Sequence, residues 1–180
     1  MKINLKLFLF IYLSTFHFLI AQQTNKISML SFNNFLEKVN STNNQIEKQK
    51  IVDEFIESLK PNNYPIFEND TTVILLYQGN ENNIGILGDM NYWMKPAPMT
   101  KIEGTNLFYY KNNFEPDARL EYLISFSENT FPKIDILNPY KVLSGFGANS
   151  ELAMPEYKRH PIFNEFSNGK KGDYQLVKEY

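Results

Sequence analysis

The chain has 180 residues, 43% of them hydrophobic, and a formal net charge of -2 from 18 Lys and Arg against 20 Asp and Glu. That length and apolar content suffice for one buried core of ordinary domain size, which excludes a wholly disordered chain. Charges of both signs are scattered, so there is no basic footprint for nucleic acid, and the lack of Cys excludes disulfides, thiolate metal sites and cysteine nucleophiles.

The first residues have the order of a secretory signal: Lys2 and Lys6, an apolar run from Leu7 to Ile20, then Ala21 before Gln22-Gln23. Residues 1–21 are expected to be removed on export to a bacterial periplasm or to the outside. The run is about 14 residues, short of the roughly 20 that cross a bilayer, so no membrane attachment is expected after cleavage.

The periodicity changes at Ser31. Phe32, Phe35, Leu36 and Val39 recur at spacings of three and four, as do Ile51, Val52, Phe55, Ile56 and Leu59, which predicts two short amphipathic helices parted by Asn40 to Asn44. Thr42 or Asn43 is the expected cap of the second helix, Glu47 lies in its first turn, and Pro61-Asn62-Asn63 stops it. Pro61 to Asp70 reads as a connector.

Beyond it the pattern is that of strands. Thr71 to Tyr77, Ile84 to Leu87, Asn106 to Lys111 and Arg119 to Phe126 are short runs rich in aliphatic and aromatic residues. Turn signals at Gly79 to Asn83, Asn112-Asn113 and Pro116-Asp117 separate them. Strands at this spacing predict a mainly β fold, a small β-sandwich. At its centre stands Gly88-Asp89-Met90-Asn91-Tyr92-Trp93. There Gly permits a sharp turn, Asp89 and Asn91 can bond nearby amides, and Trp93, the only Trp, is expected to be a buried anchor. The competing use of the rings is a platform for pyranose stacking, made by Trp93 with Tyr92, or by Tyr109 and Tyr110.

Arg119 and Glu121 alternate with Leu120, so they share a strand face, where a weak solvent-exposed pair is expected. Asp135 and Asn138, before Pro139, fit an exit turn whose amides they satisfy. Gly145 to Glu151 reads as a loop that crosses a surface on a fixed path, with Gly145 and Gly147 supplying the backbone freedom.

These motifs occur together and in order. Glu68-Asn69-Asp70, Thr72 to Gly79, Gly88 to Trp93, Arg119 to Tyr122 and Asp135 to Pro139 resemble the immunoglobulin-like E-set domain of the family-48 carbohydrate-binding modules and their relatives. Gly145 to Pro155 is similar to the segment that closes the amino-terminal domain of bacterial enterochelin-esterase-like proteins, where an α/β-hydrolase domain follows. The periodicity gives a helical segment and connector over 22–69, and the resemblance, which covers about residues 50 to 180, implies an E-set sandwich over 70–145 and over 146–180 a linker with the opening of a truncated hydrolase domain. It also implies a contact with that domain through Phe146, Asn149, Ser150 and Glu151, and an ester or a carbohydrate as substrate. On this reading the chain is a non-catalytic accessory domain of a secreted carboxylic-ester hydrolase, and a free-standing carbohydrate-binding module using Tyr92, Trp93 and Tyr110 is the alternative.

Catalytic residues are not expected. A hydrolase of that kind needs a Gly-x-Ser-x-Gly elbow with a His and an acid later in the chain, and no such elbow occurs in the sequence. His160 is the one His after the signal-like stretch. Ser167-Asn168-Gly169-Lys170 matches a Ser-x-x-Lys pattern, but Gly169 and Gly172 place it in a turn where that chemistry needs a helix. Neither a metal nor a cofactor is expected, because the carboxylates are dispersed without ligand spacing.

Overall fold

The structure is a computed structural model that describes residues 32–59, 63–126, 130–145 and 147–159. The signal-like stretch, Phe146, His160 and the segment that follows it lie outside the described residues. Two helices come first, α1 (residues 32–40) and α2 (Gln45–Ser58). The apolar faces are those the spacing predicts, with Phe32, Phe35, Val39, Ile51 and Val52 buried. The cap of α2 is Asn44, in place of Thr42 or Asn43: its side-chain oxygen accepts from the amides of Ile46 at 3.0 Å and Glu47 at 3.3 Å. Thr42 braces that cap from outside, accepting from the Asn44 amide and donating to the Glu47 carboxylate at 2.8 Å.

Strands follow as β1 (Ile66–Phe67), β2 (Thr72–Gln78), β3 (Gly85–Gly88), β4 (Ala97–Pro98), β5 (Thr100–Lys101), β6 (Leu107–Asn113), β7 (Arg119–Ser125), β8 (Lys141–Ser144) and β9 (Gly147–Ala153). They form two antiparallel sheets, ordered β1-β2-β6-β5 and β4-β3-β7-β9-β8. The four expected strands are all present, within a residue or two of their expected ends.

Strand β2 is buried from Thr72 to Leu76 without alternation, because it has a layer on each side. Leu76 lies opposite Tyr109 in the ladder, and the Tyr109 ring meets Phe32 of α1 at 5.5 Å. Tyr77, one residue on and therefore facing the other way, meets Phe126 at the end of β7 at 5.3 Å. The helices therefore cover one face of the first sheet, and the second sheet covers the other. Polar ties fix the helical layer: Gln49 donates to the Asn106 side chain at 2.7 Å and accepts the Asn106 amide at 3.0 Å, and Gln78 donates to Asp53 at 2.7 Å.

One segment departs from its expected form. Residues 147–153 are not a surface loop but strand β9, paired on one side with β7 and on the other with β8. Its composition is too small and polar to announce a strand. The reason it is one lies in its partners, since Leu152 sits opposite Leu120, and Ser150 opposite Tyr122, both with their side chains buried.

Candidate functional site

The turn after β3 is built by its own side chains. Asn91 accepts from the Gly88 amide at 2.9 Å and donates to the Ile86 carbonyl at 2.7 Å, closing a 3-10 turn over Asp89–Asn91. Gly88 is extended there, with φ of 178°, so its role is not a special dihedral. A Cβ at this position would stand 2.3 Å from the Glu121 carbonyl oxygen, so the turn can lie against β7 only with glycine. The left-handed residues are instead Tyr92 and Trp93, with φ of 56° and 58°. Non-glycine residues in that region cost about 1–2 kcal/mol each. Such strain persists where neighbours over-determine it. Here Asp89 does so, accepting from the Trp93 indole N–H at 2.8 Å with one oxygen and from the Glu121 amide at 2.7 Å with the other.

Trp93 is consequently not the buried anchor that the sequence suggests. It is 38% exposed, with its N–H held by Asp89 and its ring on the wall of a groove. Tyr92 projects to solvent at 86% exposure, and Tyr110 is buried on β6, where its hydroxyl accepts from Asn112 at 2.6 Å. The three rings do not form one platform, since Tyr110 belongs to the first sheet and the Tyr92-Trp93 turn flanks the second.

Next to this turn, β7 and β9 place Glu121 directly opposite Glu151. Like charges so placed repel. Arg119 resolves the conflict, donating to Glu151 at 2.5 Å and to Glu121 at 3.2 Å, and Arg159 donates to the second Glu151 oxygen. Arg119 loses hydration here, which opposes its charge, but the two carboxylates outweigh this and raise its pKa. Instead of a weak exposed pair, the chain has a four-charge network around a Glu151 side chain only 4% exposed. Asn149 completes it by donating to Glu121 at 2.9 Å.

A second polar knot lies inside the sandwich. Asp135 accepts the hydroxyls of Tyr64 and Tyr122, each at 2.7 Å, on one oxygen, and the Leu137 amide at 2.9 Å on the other. Its own amide donates to Ser150 at 2.8 Å, and Asn138 donates to Tyr122 and to the Glu151 carbonyl. Tyr64 also bridges to the Leu76 backbone of β2, so one carboxylate ties the two sheets together. Burial pushes the Asp135 carboxyl above its ordinary value against the pull of its hydrogen bonds, and pushes both tyrosines well above theirs. Asp135 and Asn138 do satisfy turn amides, as their sequence context suggests, but from buried positions that the context does not reveal.

The groove itself has a volume of about 1250 Å³ and runs along the second sheet. Its walls are mainly apolar, from Trp93, Leu123, Ile124, Phe126, Ile134 and Ile136, with Asp89, Glu121, Asn149 and Lys133 as the charged or amide groups among them. Of the residues expected to meet a following domain, Asn149 lines this groove, Ser150 and Glu151 are turned to the internal partners just described, and Phe146 lies outside the described residues. Among the described residues no cluster of His, Cys, Asp or Glu could hold a metal.

In comparisons with known proteins, no family model and no curated protein sequence matches the chain. Solved structures do. An enterobactin esterase from Shigella flexneri, determined with 2,3-dihydroxy-N-benzoyl-serine, is similar over 53% of this chain and 33% of that one, at 18% identity and a TM-score of 0.44. A ferric enterobactin esterase from Salmonella typhimurium is similar over 52% of this chain and 33% of that one, at 19% identity and a TM-score of 0.40. The chain spans about a third of the length of these structures.

Proposed function

We propose that this chain is a non-catalytic accessory domain of an exported carboxylic-ester hydrolase of the enterochelin-esterase-like type, with an E-set sandwich that supports an α/β-hydrolase domain. The observation that carries this reading is the convergence of the motifs through which the sequence resembles that domain. Gly88–Trp93, Arg119–Tyr122, Asp135–Asn138 and Asn149–Glu151 are far apart in the chain, yet they interlock through Asp89 on Glu121, Arg119 on Glu151, and Tyr122 and Ser150 on Asp135. Each charged member is spent on another member, which is the economy of a scaffold rather than of a catalytic centre. Asn149, on the groove side of β9, is the residue of this set best placed to meet a neighbouring domain. The test is to express the chain together with whatever coding sequence follows it in its gene. A Gly-x-Ser-x-Gly elbow and esterase turnover in the longer product support the proposal, and a following frame without that elbow contradicts it.

The exposure of Trp93 favours a second reading, a free-standing carbohydrate-binding module. Pull-down on insoluble glucans, with Trp93→Ala as control, decides it: no retention of the parent chain removes this reading.

A further inference from the structure

The path by which the chain leaves the second sheet points to what fills the groove. We infer that His160 to Phe163, the segment directly after the described residues, lies back across the outer face of that sheet and seats Ile162 and Phe163 in the groove beside Trp93. Three observations carry this. First, alternation along the strands defines an apolar outer face. Tyr122 points inward to Asp135, so Glu121 and Leu123 point outward, and Glu151 and Asn149 on β9 do so with Glu121. Lys133 pairs with the buried Ile124 and shares its inward side, which leaves Ile134 outward with Leu123. Leu123, Ile134 and Trp93 all line the groove, and Asp89 holds Trp93 there through the Glu121 amide.

Second, the chain turns back onto this face. As β9 ends, the Met154 amide donates to the Ala118 carbonyl, and the Tyr157 amide then donates to the Met154 carbonyl at 2.9 Å, closing a reverse turn. Two residues later Arg159 donates to Glu151, whose side chain is only 4% exposed, so the last described residue is anchored to the outer face. Third, direction and length agree. The reversed chain runs from the level of Glu151 towards that of Asn149, and the same direction along β7 leads from Glu121 to Leu123. Two residues at about 3.3 Å each cover that step of roughly 7 Å, which is the reach of His160 and Pro161. Pro161 also disfavours helix at His160, so the step is made in extended chain. Ile162 and Phe163 are the first large apolar side chains past Arg159, and they arrive at the level of Leu123, Ile134 and Trp93. Being adjacent, they face opposite walls of a groove.

Because Trp93 is the only Trp, its fluorescence reports on the groove directly. The experiment compares the full chain with two double variants, Ile162→Ser with Phe163→Ser, and Leu176→Ser with Val177→Ser as control. The first pair should shift Trp93 emission to the red and raise its quenching by acrylamide, and the control pair should leave both as in the parent. The absence of Cys allows a second measurement that keeps the apolar segment nearly intact. A disulfide needs Cα atoms within about 7 Å. Asn149→Cys with Ile162→Cys should therefore close an intramolecular disulfide faster than Asn149→Cys with Leu176→Cys. Unchanged emission and quenching with the first pair, an equal change with the control pair, equal rates of disulfide closure, or a shielding of Trp93 that is lost on dilution and so belongs to a second copy would each overturn the inference. None of these outcomes depends on whether a hydrolase domain follows the chain.

Discussion

A carboxylate between two phenols is the residue on which the interior turns. Asp135 is only 1% exposed, and burial raises its pKa above the ordinary value of about 3.8 that it keeps in the unfolded chain. A raised folded-state value means that the native state binds the proton more tightly than the unfolded state does. The stabilisation from that group is therefore complete below about pH 3.8 and is lost as pH rises through the folded-state value. Asp135→Asn should remove this dependence, and urea titrations of parent and variant across the acid range should show the parent losing stability relative to the variant as pH rises. A constant difference between the two would contradict the assignment. At the surface the sign of strain is equally testable. Tyr92 is left-handed and its side chain is in solvent, so Tyr92→Asn should raise stability by up to about 1 kcal/mol in the same assay, because Asn tolerates that conformation.

Among elements, the helical layer is the one whose packing partner the sequence leaves open. Its amphipathic spacing is plain, since Phe32, Phe35 and Val39 recur on one side of α1, but what that side touches is decided by Tyr109 on a strand some 70 residues on. The Phe32 ring is 1% exposed and meets Phe35, Phe55 and Tyr109. Phe32→Ala should cost about 3–5 kcal/mol, read as a fall in the denaturation midpoint with an unchanged slope. A loss under about 1 kcal/mol would mean that the helices are not part of the cooperative core. Strands β2, β3, β6 and β7 were legible because each carries its own apolar run, and β2 in particular is apolar on both faces for a reason that only the three-layer stacking supplies. Strand β9 was not, because Gly147 to Ala153 has small and polar residues whose fit depends on Tyr122, Asp135 and Arg119 from elsewhere. The same holds for Trp93: its size argued for burial, and only the Asp89 bond and the left-handed turn explain why its ring stands on a groove wall.

For the molecule as a whole, the sandwich follows from local patterns, whereas the groove does not. Its walls come from β7, β9, the turn at Asp89 and the segment around Lys133, which no window of sequence contains together. Glu121 and Glu151 beside it are matched by Arg119 and Arg159, the buried carboxylate is held by two hydroxyls, and the groove walls are mainly apolar. On the function proposed above, this domain is a supporting body and bond breaking is assigned to a different stretch of polypeptide. Hydrolysis of p-nitrophenyl acetate and butyrate by the purified 180-residue chain tests that most directly. The account requires a rate equal to that of buffer alone, and saturable turnover by this chain would contradict it.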